Sequence, residues 1–299
     1  MALATLHESA FGELRLHQVM EGRLVVVRGG LNRLAAVGQV HRAALESVSS
    51  AVSPDAAGYL EERGLEQLHH VAGVGEVRAV RDELDQRVRP AARRLLLRFA
   101  RTLPPQGRRL YVSDHLGVRI MPPRSAVRGP SATEQELSGY TGFLLPAQAH
   151  TDSWFNTAVN SVNLWMAVSR VRRDNGLTIW PDAYRRPLRH DGVRLLPDQW
   201  IGDPVEIELD PGDLLLFAGD HLHATRPNTG PETRWVVTKR LCFGPPRYHP
   251  RATGWVPYSN PRLLGTPLQI LAPLRSALTL GGLRQFARGS DRLLSRLVH

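Results

Sequence analysis

The chain has 299 residues, 42% of them hydrophobic, a formal net charge of +10 and a single cysteine, Cys242. That content suffices for a large core, while one cysteine excludes an internal disulfide framework and a zinc ribbon. The charge raises nucleic acid as a partner, but Lys239 is the only lysine, so 37 of the 38 basic residues are arginine, and they are scattered along the chain. Such a bias reads as composition rather than a phosphate-binding face, and nucleic acid is not an expected partner.

Residues 1–18 carry acidic residues early and no basic flank leading into an apolar run, so no secretory signal is read there. No stretch approaches the roughly 20 apolar residues that span a bilayer, so a cytoplasmic protein is expected and a membrane is not an expected partner. Residues 21–30, EGRLVVVRGG, predict a short strand ended by paired glycines. From Leu31 to about Ser49, Leu34, Val37, Val40, Ala44 and Val48 recur at helical spacing, and Ser53-Pro54-Asp55 closes that helix. Residues 57–103 read as mainly helical, with Pro90 dividing two helices that meet at a corner. His69-His70 is assigned to packing or surface, because adjacent residues on a helix point about 100° apart.

Pro104-Pro105-Gln106-Gly107 marks the passage into a β-rich part. Residues 110–121 predict two strands, or one strand with a turn at 115–117 that sets His115 at a tip. Residues 122–149, rich in Pro and Gly, form a long loop that is a candidate lid or substrate loop, with Arg124, Arg128 and Tyr140 as possible contacts. His150-Thr151-Asp152 follows; on a strand, His150 and Asp152 point to the same side, an imidazole and a carboxylate aimed at one centre.

Between 161 and 168, Ser161, Asn163 and Trp165 alternate with Val162, Leu164, Met166 and Val168, which predicts a strand with one polar, pocket-lining face and one apolar face. Asn175-Gly176 is a turn before a strand at 177–180. Residues 182–203 are a polar connection with His190 facing solvent, and 205–209 alternates again. Asp210-Pro211-Gly212-Asp213 is a turn, 214–217 a buried strand, 227–231 a dense turn signal, and 234–243 a β-rich run ended by Gly244-Pro245-Pro246. A hairpin centred on 228–229 pairs His223 with Arg234, their Cβ atoms about 5 Å apart, with Thr225 on the same face. His221 shares the strand parity of His223 and competes with it as third ligand. Residues 267–299 carry arginines between Leu and Val in a basic amphipathic pattern.

Two histidines and one carboxylate with open positions suit non-haem Fe(II) rather than a closed structural zinc site. An arginine beside the third ligand adds a rigid fork for a carboxylate, and together these describe an iron site that chelates a keto acid.

The order of H-T-D, N-S-V-N-L-W at 160–165, N-G-L-T-I-W-P at 175–181, P-G-D-L-L-L-F at 211–217 and H-A-T-R-P-N, with Arg234 eleven residues after His223, resembles the phytanoyl-CoA dioxygenase-like branch of the Fe(II)/2-oxoglutarate-dependent oxygenases. The resemblance covers roughly residues 110–243. It implies His150, Asp152 and His223 as iron ligands and catalytic residues, and Arg234 with Thr225 at the distal carboxylate of 2-oxoglutarate. It also implies Asn163, Trp165 and Ser153 near that cosubstrate, and O2 as second cosubstrate.

The expected architecture is α+β, a double-stranded β-helix (jelly roll, cupin-like) with N-terminal helices packed on one sheet. One oxygenase domain over 1–299 is expected, with a mostly helical part at 1–105, the jelly-roll core at 106–245 and a C-terminal extension at 246–299. The expected reaction is hydroxylation of a small or medium polar metabolite, a small-molecule substrate, in a natural-product setting. Desaturation and ring closure remain open, and halogenation is disfavoured because the carboxylate ligand Asp152 is present. The alternatives are a non-redox metal-dependent cupin-type enzyme, which needs no Arg234, and a basic binding protein for an anionic ligand or nucleic acid, which predicts salt-dependent polyanion binding.

Overall fold

The computed structural model describes residues 3–34, 36–103, 109–113, 116–127, 146–192, 194–250, 252, 254 and 256–259. In order, these form β1 (Ala4–His7), α1 (Leu16–Met20), β2 (Val25–Arg28), α2 (Gly30–Arg33), α3 (Val37–Ala51), α4 (Pro54–Arg63), α5 (Val74–Thr102), β3 (Leu110–Ser113), β4 (Gly117–Met121) and α6 (Arg124–Val127). They continue with β5 (Ala147–His150), β6 (Ser161–Ala167), β7 (Leu177–Trp180), β8 (Val205–Ile207), β9 (Leu214–Ala218), β10 (Leu222–Thr225), β11 (Arg234–Phe243) and β12 (Tyr258–Ser259).

The strands make two sheets. The larger has eight strands in the order β1-β2-β9-β6-β11-β3-β12, with β4 pairing the first half of β11 that β3 leaves open; the smaller has four in the order β5-β10-β7-β8. The chain crosses from one sheet to the other at β4–β5, β5–β6, β6–β7, β8–β9, β9–β10 and β10–β11, which is the winding of an open jelly roll.

Period-two patterning decides what each face meets. On β6, Val162, Leu164, Met166 and Val168 join Leu214, Leu216, Val237 and Leu241 in a core shared with the helices, whereas Trp165 and Ala167 join Leu215, Phe217 and Val236 between the sheets, opposite Leu177 and Ile179. The even residues of β11, Arg234 to Cys242, therefore face the small sheet. Lys239, on the odd face, is buried toward the helices and its Nζ donates to the Ser113 carbonyl at 2.7 Å.

The helical part differs from the sequence reading in two places. α5 is a single helix of 29 residues with Pro90 inside it. Proline removes the bond to the Gln86 carbonyl at a cost of about 3 kcal/mol, but Gln86 and Pro90 are exposed, and Val77, Val80, Leu84, Val88, Ala92, Leu95, Leu96 and Phe99 bury one continuous stripe across the break. Ser53-Pro54-Asp55 opens a helix instead of closing one: the Ser53 hydroxyl caps the Ala56 N–H at 3.1 Å and Pro54 takes the first turn of α4.

Between Leu65 and His70 a 3-10 turn braces the start of β11. The Trp235 indole donates to the Leu65 carbonyl at 2.8 Å, and His69 Nδ1 lies 3.0 Å from the Thr233 hydroxyl, the packing role expected of the His69-His70 pair. No described helix is long and apolar enough to cross a membrane. His115, Arg128 and Tyr140 and the basic stretch 267–299 lie outside the described residues, and Arg124 is exposed.

Candidate metal centre

β5 ends at His150, and β10 places His223 directly opposite it in the antiparallel register, so two imidazoles stand side by side with ring centroids 4.4 Å apart. Asp152 is not on the strand, as the sequence reading had it, but opens a 3-10 turn, Asp152–Trp154. The turn still carries its carboxylate to the same point: ligand atoms of His150, Asp152 and His223 all lie within 4.8 Å of one another, and all three residues are buried. This is the one group of its kind among the described residues.

The hydrogen bonds around the imidazoles fix their tautomer. His150 Nδ1 is 2.6 Å from the Gln148 carbonyl and His223 Nδ1 is 2.9 Å from the His221 carbonyl. A carbonyl only accepts, so each Nδ1 carries the proton and each Nε2 keeps a lone pair, the state in which histidine binds a metal. Burial lowers both pKa values, that of His223 to about 3 with His150 beside it. Burial opposes the charge on Asp152, but the Arg240 guanidinium at 3.1 Å and the Asn163 amide at 2.6 Å outweigh it, and the carboxyl is held well below its usual range. Two neutral imidazoles and one carboxylate are thus the donor set present, and it fits a divalent metal that leaves other positions open.

His221, the competitor for third ligand, spends both ring nitrogens elsewhere. Its Nδ1 accepts from the Ala218 N–H at 3.0 Å, its Nε2–H donates to the Gly22 carbonyl at 3.1 Å, and its ring stacks on Tyr184.

His223 and Arg234 do not face each other across a hairpin. His223 pairs with His150 and Ile179 in the small sheet, while Arg234 pairs with Met121 in the large one. The turn signal at 227–231 is real, but it carries the chain between sheets, held by the Asn228 amide on the Met121 and Glu232 carbonyls. Arg234 instead approaches from the facing sheet. It is fully buried, its Nη1 donates to the Asn175 and Gly176 carbonyls, and its guanidinium lies 5.5 Å from the Trp165 ring. Gly176 precedes Leu177, the cross-strand partner of Thr225, so Arg234 sits at the Thr225 end of β10, and Thr225 shares the inner face with His223. Its Nε and Nη2 are buried with no hydrogen-bond partner, and burial lowers its pKa to about 9. Two buried, rigid donors without a protein partner fit a carboxylate ligand.

Asn163 and Trp165 lie on the inward face of β6, and the Ser153 hydroxyl bonds Thr151 and Asp220. His190 is partly covered rather than solvent-facing, stacked on Trp154 with ring centroids 4.1 Å apart. Sequence reading passed over Arg240 and over Arg119, which faces the chamber from β4 and whose pKa burial lowers to about 10. Arg240 lies at inward parity with Arg234 on one strand, a signal that was present.

The family model for phytanoyl-CoA dioxygenase, PhyH, matches residues 140–236. No curated protein sequence matches the chain. Among solved structures, the chain is similar to the non-haem α-ketoglutarate-dependent epimerase SnoN from nogalamycin biosynthesis, at 18% identity over 56% of this chain and 60% of that one, with a TM-score of 0.39. It is similar to the carbocyclase SnoK from the same biosynthesis, at 17% identity over 57% and 62% with a TM-score of 0.38. A third is EvdO2 from Micromonospora carbonacea var. aurantiaca, at 17% over 56% and 64% with a TM-score of 0.36. The chain thus spans less than two thirds of the length of each of these three. The family match runs from ahead of His150 to just past Arg234 and so takes in both halves of the centre: over these residues the chain is similar to phytanoyl-CoA dioxygenase.

Proposed function

We propose that the protein is an Fe(II)/2-oxoglutarate-dependent oxygenase that hydroxylates a small or medium polar metabolite, with His150, Asp152 and His223 as iron ligands. The observation that carries this reading is the convergence of three buried ligand atoms within 4.8 Å, with both Nδ1 protons tied to main-chain carbonyls. When bound, iron with 2-oxoglutarate and O2 supplies a two-electron oxidation: one oxygen atom goes to the substrate, the other to succinate, and CO2 leaves.

The chain's own residues do the remaining work. The Gln148 and His221 carbonyls hold the imidazole tautomers, so no proton must leave before a metal arrives. Arg234 offers Nε and Nη2 to the distal carboxylate of 2-oxoglutarate, with the Thr225 hydroxyl beside it, and Trp165 fixes the guanidinium plane. Leu177, Ile179, Leu215 and Phe217 exclude water from that end of the chamber, which strengthens the charged contact. A non-redox metal enzyme does not require an arginine at this position.

The test is anaerobic titration with Fe(II) and 2-oxoglutarate, followed by O2. A visible chelate absorption and succinate on oxygenation are expected, with succinate release faster when a true substrate is present. No chelate band and no succinate would overturn the reading, and tight binding to any polyanion without turnover would favour a binding protein.

A further inference from the structure

We infer that Arg240 is a positioning residue for the metal centre: with Asn163 it clamps the Asp152 carboxylate from the opposite sheet, in the orientation that meets His150 and His223. This rests on the metal-centre reading above. The two histidines sit on strands whose ladders fix their backbones, but Asp152 lies off the ladder in a 3-10 turn, so its side chain needs an external hold. Arg240 and Asn163 are register neighbours on β11 and β6. Arg240 Nε donates to Asn163 Oδ1 at 2.9 Å, Arg240 Nη2 contacts Asp152 Oδ1 at 3.1 Å, and Asn163 Nδ2 donates to Asp152 Oδ2 at 2.6 Å.

These contacts close a ring of three side chains in which each carboxylate oxygen makes one bond. A carboxylate oxygen has two lone pairs, so each keeps one, and one of them is free for a metal. The ring also sets the Asn163 amide, since its oxygen must face the guanidinium and its nitrogen the carboxylate. It requires arginine: Nε and Nη2 lie on one rigid edge and reach two acceptors together, which a lysine ammonium on a flexible stem does not reproduce. Arg240 and Asp152 are both at least nine-tenths buried, so solvent does little to screen the contact.

The experiment uses Co(II) as an oxygen-insensitive probe, titrated into the full-length wild type and into Arg240→Leu, Arg240→Lys and Asn163→Leu, with affinity and d–d absorption bands as readouts. Removing residues that orient a metal ligand typically costs about 10- to 100-fold in metal affinity. Arg240→Leu and Asn163→Leu are expected to weaken Co(II) in that range and to change the bands, and Arg240→Lys to fall between them and wild type. A residue that only packs would lower the melting temperature and leave affinity and bands as they are. That result, or tighter binding in Arg240→Leu, overturns the inference. Should Arg240→Leu not fold, Arg240→Lys decides: intermediate affinity supports the clamp, wild-type affinity overturns it. If wild type itself takes no Co(II), the metal-centre reading falls and this inference with it; if wild type binds and the variants match it, only this inference falls.

Discussion

A single residue, Leu222, separates His221 from His223, yet the bonds at their ring nitrogens differ in the one respect that matters to a metal. His221 gives up both nitrogens, to the Ala218 N–H and the Gly22 carbonyl, whereas His223 engages Nδ1 alone. Strand parity cannot separate them, because both are even steps along the same run; only the partners do. His221→Ala leaves the buried groups of Ala218 and Gly22 unsatisfied, at about 1–3 kcal/mol each. The expected outcome is a loss of about 2–6 kcal/mol in urea unfolding with metal affinity retained by the folded fraction. His223→Ala is expected to abolish the 2-oxoglutarate chelate band while leaving the protein folded. The reverse pattern would reassign the third ligand to His221.

Strand-level features were legible wherever alternation was clean. The polar and apolar faces of β6, the strand after Asn175-Gly176 and the bounds of β11 all follow from period two, because burial on a defined face fixes which residues point inward. The hairpin between His223 and Arg234 did not follow. Turn residues announce that the chain reverses, not whether the flanking strands pair with each other or diverge into facing sheets, and Arg234 reaches the chamber by the second route. The Asp152 clamp was hidden for another reason: Arg240 is one of 37 arginines by sequence, and only the register with Asn163 shows what it holds. Gly176 is where element geometry meets the site, since its carbonyl and that of Asn175 fix Arg234. A Cβ there would lie 2.5 Å from the Arg172 carbonyl oxygen and 2.9 Å from that of Ile207, both main-chain atoms that cannot turn aside. Gly176→Ala must therefore shift the turn and the two carbonyls with it. A loss of about 1–3 kcal/mol in stability is expected. Affinity for 2-oxoglutarate, read from the chelate band, is expected to fall by about tenfold, equivalent to 1.4 kcal/mol. Wild-type affinity in a destabilised variant would show that Arg234 is held by something other than this turn.

At the scale of the whole molecule, several of the described arginines are paired with nearby carboxylates. Arg87 pairs with Glu83 and Glu46, Arg89 with Asp85, Arg194 with Asp191 and Arg226 with Glu206, and such exposed pairs contribute little to stability. The pH dependence of folding arises instead from the interior. His221 and His223 have pKa values lowered from 6.5 to about 4 and about 3, chiefly by burial, and that of His150 is lowered as well. Between pH 6.5 and about 4 the unfolded chain takes up protons on these imidazoles that the native state refuses, so stability rises with pH across that window and falls as the solution is acidified. Each such proton adds a slope of about 1.4 kcal/mol per pH unit, or about 2.7 for His221 and His223 together. Asp152 acts lower down: its depressed pKa contributes stability above the ordinary carboxylate range that is lost only below it. Urea unfolding of the metal-free protein at pH 7, 6 and 5 should therefore show a decline over both steps, the second about twice as large as the first. Added divalent metal should raise stability by a similar amount at each of these pH values, because its imidazole ligands are already neutral and Asp152 already ionised in the native state. A flat profile from pH 7 to 5 would mean that the imidazoles take up protons without unfolding the chain, and with it would go the description of a buried centre holding two neutral histidines against one carboxylate.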